Sequence, residues 1–401
     1  MNFPRAMPLL CIGLAATLEG CAGHGAYTGD FKEKAQARMA GIKSATTWDL
    51  AHQQFEAGDL EHALKNVDQS ILLNPQIARS HLLRARILIE LGRLEPALES
   101  IERALDLDPD NAENHYYHAI VLERFDQPSE AFDAYRRAAD LDPSNSQYIV
   151  AAAEMLIEMD RLDEASALLE GVRNESRYSS GIRQTLGHIA MMEGDPARAV
   201  SLFAEACVLS PDDPSLVEDL ARAQLAGGDF ADADRSLQRL RALPEYKDRR
   251  DLMHTHARCL LELDRPVEAR AILTQLTDSP EGRSDIEAWV QLAECAVILE
   301  DDRALQSAAS RLLALAPQRY EGYLFLAVAQ RREGRLDDAV ASLDRAIARA
   351  PGNALPPRLQ GMIYHQLGRT EDARRALALA AAADPSDTAT TRLLDRLSEN
   401  R

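Results

Sequence analysis

Lysine, cysteine and aromatic residues are scarce in this chain of 401 residues, and each shortage excludes a class of protein. Five lysines and a formal charge of −19 argue against non-specific binding to nucleic acid, which requires a basic surface. Five cysteines are too few for a disulfide framework. The 20 glycines and 18 prolines exclude a collagen-like or linker-dominated chain, while 46% hydrophobic residues allow a sizeable buried core.

The N-terminus has the pattern of an export signal. Arg5 precedes an apolar stretch over residues 7–18, which is too short to span a bilayer. The stretch ends in the letters LEGC at residues 18–21, which resemble the lipobox of bacterial lipoproteins. Glu19 stands where that family prefers Ala, Ser or Thr. An ordinary secretory signal or an N-terminal anchor therefore remains an alternative.

The lipoprotein resemblance implies a division of the first 43 residues. Residues 1–20 would be a signal peptide, and Cys21 would receive the lipid and become the N-terminal residue. Ala22 after the cysteine resembles cargo sent to the outer membrane. Residues 21–43 would form a tether, with a polar helical piece around Phe31 to Met39.

From residue 44 onward, the sequence repeats itself at a step of 34 residues, with two insertions of two residues before 250 and before 286. Ten units start at residues 44, 78, 112, 146, 180, 214, 250, 286, 320 and 354. Position 8 of each unit is small, at residues Ala51, Ala85, Ala119, Ala153, Gly187, Ala221, Ala257, Ala293, Ala327 and Gly361. Position 20 is alanine in nine of the ten units, and Leu305 is the exception. This period and pattern resemble the tetratricopeptide repeat family.

The resemblance implies an all-α, right-handed solenoid of about ten helix-turn-helix repeats. Repeats 1–6 would cover residues 44–249, repeats 7–10 residues 250–387, and a capping helix residues 388–401. Apolar spacing predicts helix A over positions 1–14 of each unit and helix B over positions 18–31. Positions 8 and 20 lie where the two helices cross, so larger side chains would push the helices apart. Gly or Asp near position 15 should end helix A.

The sequence predicts no enzyme, metal or cofactor site. His254 and His256 look like a chelating pair, but side chains two residues apart on a helix point about 200° apart. Cys259 and Cys295 both occupy position 10, where a small buried residue belongs. The chain has neither a Gly-rich phosphate loop after a strand nor a nucleophile elbow.

The family uses helix A to line a concave groove, chiefly through positions 2, 5, 6, 9, 12 and 13. The resemblance implies that this groove binds a protein or peptide, because tyrosine and arginine in it are the types that anchor interfaces. The candidate residues are Trp48, Arg79, Arg86, Tyr116, Tyr117, His188, Arg258, Phe325 and Arg331. We expect the first three repeats to carry most of the affinity, because they match the family pattern best. The second half, with Arg258, Phe325 and Arg331, is the next candidate.

The sequence is consistent with three functions. The first is a periplasmic scaffold in an envelope assembly, pilus or secretion complex, attached to the outer membrane only by its N-terminal lipid. The second is a module that binds cell-wall glycan or exported polysaccharide, which the aromatic content of 5% disfavours. The third is a cytoplasmic adaptor whose leader is never cleaved, and a secreted protein is a variant of the first.

Overall fold

The structure, a computed structural model, describes residues 26–173 and 177–399, which are built mainly of paired helices. These ranges contain 21 α-helices and one short 3₁₀ turn, and no β-strand. They form two compact units that divide between residues 174 and 175. The predicted all-α fold of helix pairs is confirmed, whereas the leader and Cys21 lie outside the described residues.

The first unit contains eight helices: α1 Ala26–Glu56, α2 Leu60–Leu73, α3 Ala78–Glu90, α4 Leu94–Leu107, α5 Ala112–Arg124, α6 Pro128–Leu141, α7 Ser146–Glu158 and α8 Leu162–Val172. The second unit contains α9 Ser180–Met192, α10 Pro196–Leu209, α11 Pro214–Gly227, α12 Phe230–Arg241, α13 Arg250–Glu262, α14 Pro266–Asp278, α15 Ile286–Ile298, α16 Asp302–Leu315, α17 Glu321–Arg332, α18 Leu336–Arg349, α19 Leu355–Gln366, α20 Thr370–Ala383 and α21 Thr388–Glu399. None of the described helices is both long enough and apolar enough to cross a membrane.

The small residues at positions 8 and 20 lie buried where the two helices of each repeat cross. Alanine at both positions is buried in every repeat that has it. A Cβ atom on Gly187 would lie 2.6 Å from the ring of Phe203, and one on Gly361 would lie 2.6 Å from Leu377. The predicted reason for these small residues, close approach of helix A to helix B, is therefore confirmed. Leu305 is fully buried as well.

Position 15 ends helix A by adopting a left-handed backbone conformation in all ten repeats. Six of these residues are glycine, which adopts positive φ without steric cost. Three others are aspartate, whose short side chain tolerates the same conformation. Glu300, with φ of 53°, is the one residue of neither type.

Each end of the chain has its own helical feature. At the C-terminus, Leu397 of α21 is buried against Ala373 and Leu377 of α20, as expected of a capping helix. At the N-terminus, α1 is one continuous helix that includes the piece predicted around Phe31 to Met39 and then helix A of the first repeat. The first repeat therefore has a helix A that is much longer than its helix B.

The two insertions differ in how firmly they are held. In the first, Leu243, Pro244 and Glu245 are exposed. In the second, a 3₁₀ turn over Gly282–Ser284 follows α14. The Nε1 atom of Trp289 donates a hydrogen bond to the carbonyl oxygen of Arg283 at 3.2 Å, and two guanidinium nitrogens of Arg311 donate to the same oxygen at 3.1 and 2.9 Å.

Candidate functional site

Helices α1, α3 and α5 of the first unit place aromatic and arginine side chains on one surface, which we name the aromatic–arginine face. It consists of Trp48, His52, Phe55, Arg79, Arg86, Tyr116 and Tyr117. All seven lie on A helices, because helix A of each successive repeat packs beside the previous one.

The first part of the face is built around Trp48. The Trp48 ring stacks on the ring of His52 one turn later, with 5.1 Å between centroids. The guanidinium of Arg79 lies 4.6 Å from the centroid of the Trp48 ring. The Nε1 atom of Trp48 donates a hydrogen bond to the carbonyl oxygen of Arg79 at 3.2 Å. The indole is therefore fixed both by its neighbours in α1 and by α3.

Arg86 joins the three helices of the face. Its guanidinium lies 5.0 Å from the ring of Phe55 in α1 and 5.1 Å from the ring of Tyr117 in α5. Its Nη1 atom also donates to a carboxylate oxygen of Glu113 at 3.3 Å. The Nε atom of Arg86 is buried and has no hydrogen-bond partner among the described residues. The arginine is thus held between two rings and a carboxylate.

Tyr116 extends the face toward the fourth repeat. Its ring lies 5.4 Å from the ring of Tyr117, 5.5 Å from Tyr135 and 5.1 Å from Tyr148, as centroid distances. The side-chain amide of Gln147 donates a hydrogen bond to the Tyr116 hydroxyl at 3.1 Å. Burial raises the pKa of both Tyr116 and Tyr117, so both phenols are neutral at physiological pH.

A groove of about 890 Å³ lies on the A helices of the second unit, from α13 to α19. We name it the second-unit groove. Its apolar floor consists of Leu261, Val290, Val297, Ile298, Leu324, Phe325, Val328, Leu355, Leu359 and Met362. Ile298, Leu355 and Met362 remain exposed, so apolar surface is open to a ligand.

Charged side chains line the edges of the second-unit groove. Glu262, Glu287 and Glu294 have no ion pair among the described residues. Burial raises the pKa of the Glu294 carboxyl, the Glu287 carboxylate raises it further, and Arg258 opposes the shift. Two other arginines of the groove already form ion pairs: Arg319 with Glu321, and Arg358 with Asp387.

The predicted site residues fall into three groups. Trp48, Arg79, Arg86, Tyr116 and Tyr117 come together on the aromatic–arginine face, while Arg258 and Phe325 line the second-unit groove. His188 does not line the second-unit groove and does not contact the aromatic–arginine face; its Nε2 atom lies 3.0 Å from a carboxylate oxygen of Asp219. Arg331 is half-buried and does not line the groove.

Phe55 was not among the predicted site residues, although it occupies position 12 of its repeat, which is one of the groove positions. Its packing against Arg86 was not evident, because arginine contacts between repeats depend on side-chain conformation. Tyr148 was missed because it occupies position 3, where a packing residue belongs, and it is buried.

The histidine and cysteine pairs are structural. His254 lies 2.9 Å from a carboxylate oxygen of Asp285, and His256 lies 2.7 Å from Asp234, so the two rings face different neighbours as predicted. Cys259 and Cys295 are buried free thiols, and burial raises the pKa of each to about 11. Within residues 26–173 and 177–399, no cluster of three or more potential metal ligands is present.

Comparisons with known proteins identify the repeats. One tetratricopeptide repeat model matches residues 49–112 and 302–354, and a second matches residues 190–244 and 330–397. A model described as anaphase-promoting complex, cyclosome, subunit 3 matches residues 94–172.

Among solved structures, the type IV pilus biogenesis factor PilW is 19% identical, with a TM-score of 0.45, over 51% of this chain and 94% of that one. A tetratricopeptide repeat protein from Parabacteroides merdae is 16% identical, with a TM-score of 0.45, over 59% and 92%. The Pseudomonas aeruginosa protein pilF is 19% identical, with a TM-score of 0.39, over 62% and 96%. No curated protein matches the chain at a significant level.

Proposed function

We propose that this chain, which contains tetratricopeptide repeats in both of its units, is a scaffold that binds a protein segment on the aromatic–arginine face. The observation that carries the proposal is the series of ring and guanidinium contacts from Trp48 through Arg86 to Tyr117. Stacked helical repeats provide extended binding surfaces, and this is the part of the first unit where anchor residues are concentrated.

The chemistry of the face favours a protein ligand. Tryptophan, tyrosine and arginine are the residue types that contribute most to binding at protein interfaces. Here they are held in place by each other, so little side-chain entropy remains to be lost when a partner binds. A preorganised face of this kind suits a ligand that presents its own side chains to several A helices.

The same contacts disfavour a glycan ligand. Sugar sites stack rings on open aromatic faces, whereas Arg79 lies over the ring of Trp48 and Arg86 over the ring of Tyr117. Exposed carboxylates at Glu56 and Glu90 neighbour the face, so the ligand would meet both signs of charge. This pattern is typical of the mixed rim of a protein interface.

Site-specific photo-cross-linking in the native cell tests the proposal. A photoreactive amino acid at exposed Arg79 should capture a discrete protein partner. The same amino acid at Leu72, which is 83% exposed on helix α2, is the matched control and should capture none. Equal capture at the two positions would contradict the proposal. An adduct at Arg79 that disappears after muramidase treatment would indicate glycan binding instead.

We further propose that the scaffold is exported and attached to the outer membrane by lipid on Cys21, within an envelope assembly, pilus or secretion complex. The lipobox-like LEGC sequence and Ala22 support this location. Cys21→Ala should abolish incorporation of labelled lipid and release the protein from membranes. Cys11→Ala, in the same leader, is the matched control and should retain both. Lipid labelling that persists in Cys21→Ala, or that is absent from the wild type, would refute lipidation.

A further inference from the structure

The N-terminal part of α1 extends beyond the helices that could cover it. Residues 31–39 are exposed, and the first buried residue from position 31 onward is Ser44, whose hydroxyl donates to the carbonyl oxygen of Ser70 in α2 at 2.9 Å. We name residues 31–43 the overhang. At 1.5 Å per residue, the overhang is about 20 Å long. Most helical stability in proteins comes from packing of an apolar face, so this extension would gain stability by packing against a partner.

The overhang carries a narrow apolar stripe. Phe31, Met39 and Ile42 are 71%, 54% and 55% exposed and, with Ala35, lie within an arc of about 80° on the helix. Basic side chains border this apolar stripe, Lys32 and Lys43 on one side and Lys34 and Arg38 on the other. The acidic residue of the overhang, Glu33, lies on the opposite face. The overhang therefore presents an apolar stripe between two basic edges.

The second-unit groove has the complementary arrangement. Its floor is apolar and open at Ile298 and Met362, which matches the stripe of the overhang. The carboxylates of Glu262, Glu287 and Glu294 form no ion pair among the described residues. The Arg258 guanidinium acts on Glu294 and that of Arg319 on Glu287 without pairing with them, and Arg319 is already paired with Glu321. Lysine side chains from a docked helix would provide the missing partners.

We propose that the overhang of one chain binds the second-unit groove of a second copy of the chain. The apolar stripe contacts the floor, and Lys32, Lys34 and Lys43 approach Glu287 and Glu294. The contact joins different surfaces of the two copies, so it is heterologous. This inference is independent of the proposed function, because it uses neither the aromatic–arginine face nor its ligand.

Zero-length cross-linking tests this contact directly. Unlabelled and ¹⁵N-labelled full-length chains are mixed in detergent and treated with a carbodiimide, which couples lysine amines to neighbouring carboxylates. Mass spectrometry should find overhang lysines linked to Glu287 or Glu294, and about half of the linked pairs should combine the two isotopes. Links within one isotope only would show that the overhang occupies its own groove and would overturn the proposal.

Charge-reversed variants test whether the lysine–glutamate contacts hold the two copies together. Glu287→Lys with Glu294→Lys, and separately Lys32→Glu with Lys34→Glu, should each abolish the mixed-isotope links and lower the mass measured by sedimentation to that of a single chain. Mixing the two variants should restore association, because each variant retains one native surface. Replacing Leu72 by Asp should change nothing. Unchanged association in either reversed variant would overturn the proposal, as would overhang binding to anionic vesicles without Lys–Glu links.

Partner binding on the aromatic–arginine face and the contact between two copies can be tested independently of each other. Arg86→Ala with Tyr117→Ala should leave the mixed-isotope links intact, because both residues are far along the chain from the overhang and neither lines the second-unit groove. Conversely, Glu287→Lys with Glu294→Lys should leave photo-cross-linking at Arg79 intact.

Discussion

The substitution Gly187→Ala, at the helix crossing of the fifth repeat, tests whether position 8 is small because helix A and helix B touch there. A Cβ atom at residue 187 would lie 2.6, 2.8 and 2.9 Å from three carbons of the Phe203 ring. Carbon atoms pack best at about 3.5–4.0 Å, so the methyl group would overlap the ring by about 1 Å. Phe203 is only 1% exposed and cannot turn away into solvent. Either the ring or helix α9 must therefore shift.

The size of the effect follows from two opposing contributions. Alanine is favoured over glycine by about 1 kcal/mol in a helix interior, whereas overpacking a tight core costs about 1–3 kcal/mol. Gly227→Ala is the matched control in the same unit, because its nearest contact would be an ordinary 3.6 Å. Gly227 is the last residue of α11 and gains less of the helix preference than Gly187 does, so Gly187→Ala should be less stable than Gly227→Ala by about 1–2 kcal/mol.

Urea unfolding followed by Trp289 fluorescence measures this difference, because the chain has two tryptophans and only Trp289 lies in the second unit. A Trp48→Phe background isolates its signal. Phe203→Leu, combined with Gly187→Ala, should recover part of the difference by removing the ring that the methyl group meets. Equal stabilities for the two alanine variants would refute the argument that position 8 is small because the helices touch there.

Three further predictions concern turns, pH and loops. Glu300→Gly should raise the free energy of unfolding by about 1 kcal/mol in urea titrations, because φ at that residue is 53°; no gain would contradict a strained turn. Burial opposes ionisation of Asp285, but hydrogen bonds from Arg250 and His254 outweigh it and lower its pKa to about 2. Asp285 therefore stabilises the fold above its unfolded pKa of about 3.9, and this contribution is lost as pH falls toward 2. Asp285→Asn should cost about 1–2 kcal/mol at pH 7, since Arg250 is half exposed, and should show less acid sensitivity in that window. Limited trypsin digestion should cut at Lys247 before Arg283, whose carbonyl oxygen is hydrogen-bonded; the reverse order would contradict the difference between the two insertions.

The repeat architecture could be predicted from the sequence because its requirements are local. Helix A and helix B touch at positions 8 and 20, and a residue such as Gly187 or Ala51 is forced to be small by that contact alone. The turn at position 15 requires positive φ, which restricts it to glycine and aspartate in nine of ten repeats. Each requirement acts within one repeat, so it recurs at a fixed step.

The candidate site could be predicted only in part. Trp48, Arg86 and Tyr117 occupy groove positions and are of interface type, so their grouping on adjacent A helices followed from the repeat step. The apolar floor of the second-unit groove was not foreseen. Val290 and Leu359 occupy groove positions 5 and 6 of their repeats, so the repeat pattern could have located this floor, but only tyrosine, arginine and similar anchor types were singled out there.

The length of α1 could not be predicted from the sequence pattern either. Small and charged residues before residue 44 indicate a tether, although the helical piece around Phe31 to Met39 was expected. Helix propensity decides whether such a piece forms, but only tertiary contacts decide whether it joins the next helix. The apolar stripe of the overhang was visible only once the helix was continuous.

The most direct test of the central claim is the affinity of the captured partner for Arg86→Ala with Tyr117→Ala, measured by titration calorimetry. Removing these two anchors should weaken binding by about one to three orders of magnitude. The variant also loses ring–guanidinium contacts worth about 1–2 kcal/mol of stability, so circular dichroism must show unchanged helicity at the assay temperature. Glu287→Lys with Glu294→Lys is the control and should bind the partner like the wild type. Unaltered binding by the Arg86 and Tyr117 variant would contradict the account and move the site toward Arg258 and Phe325 in the second-unit groove.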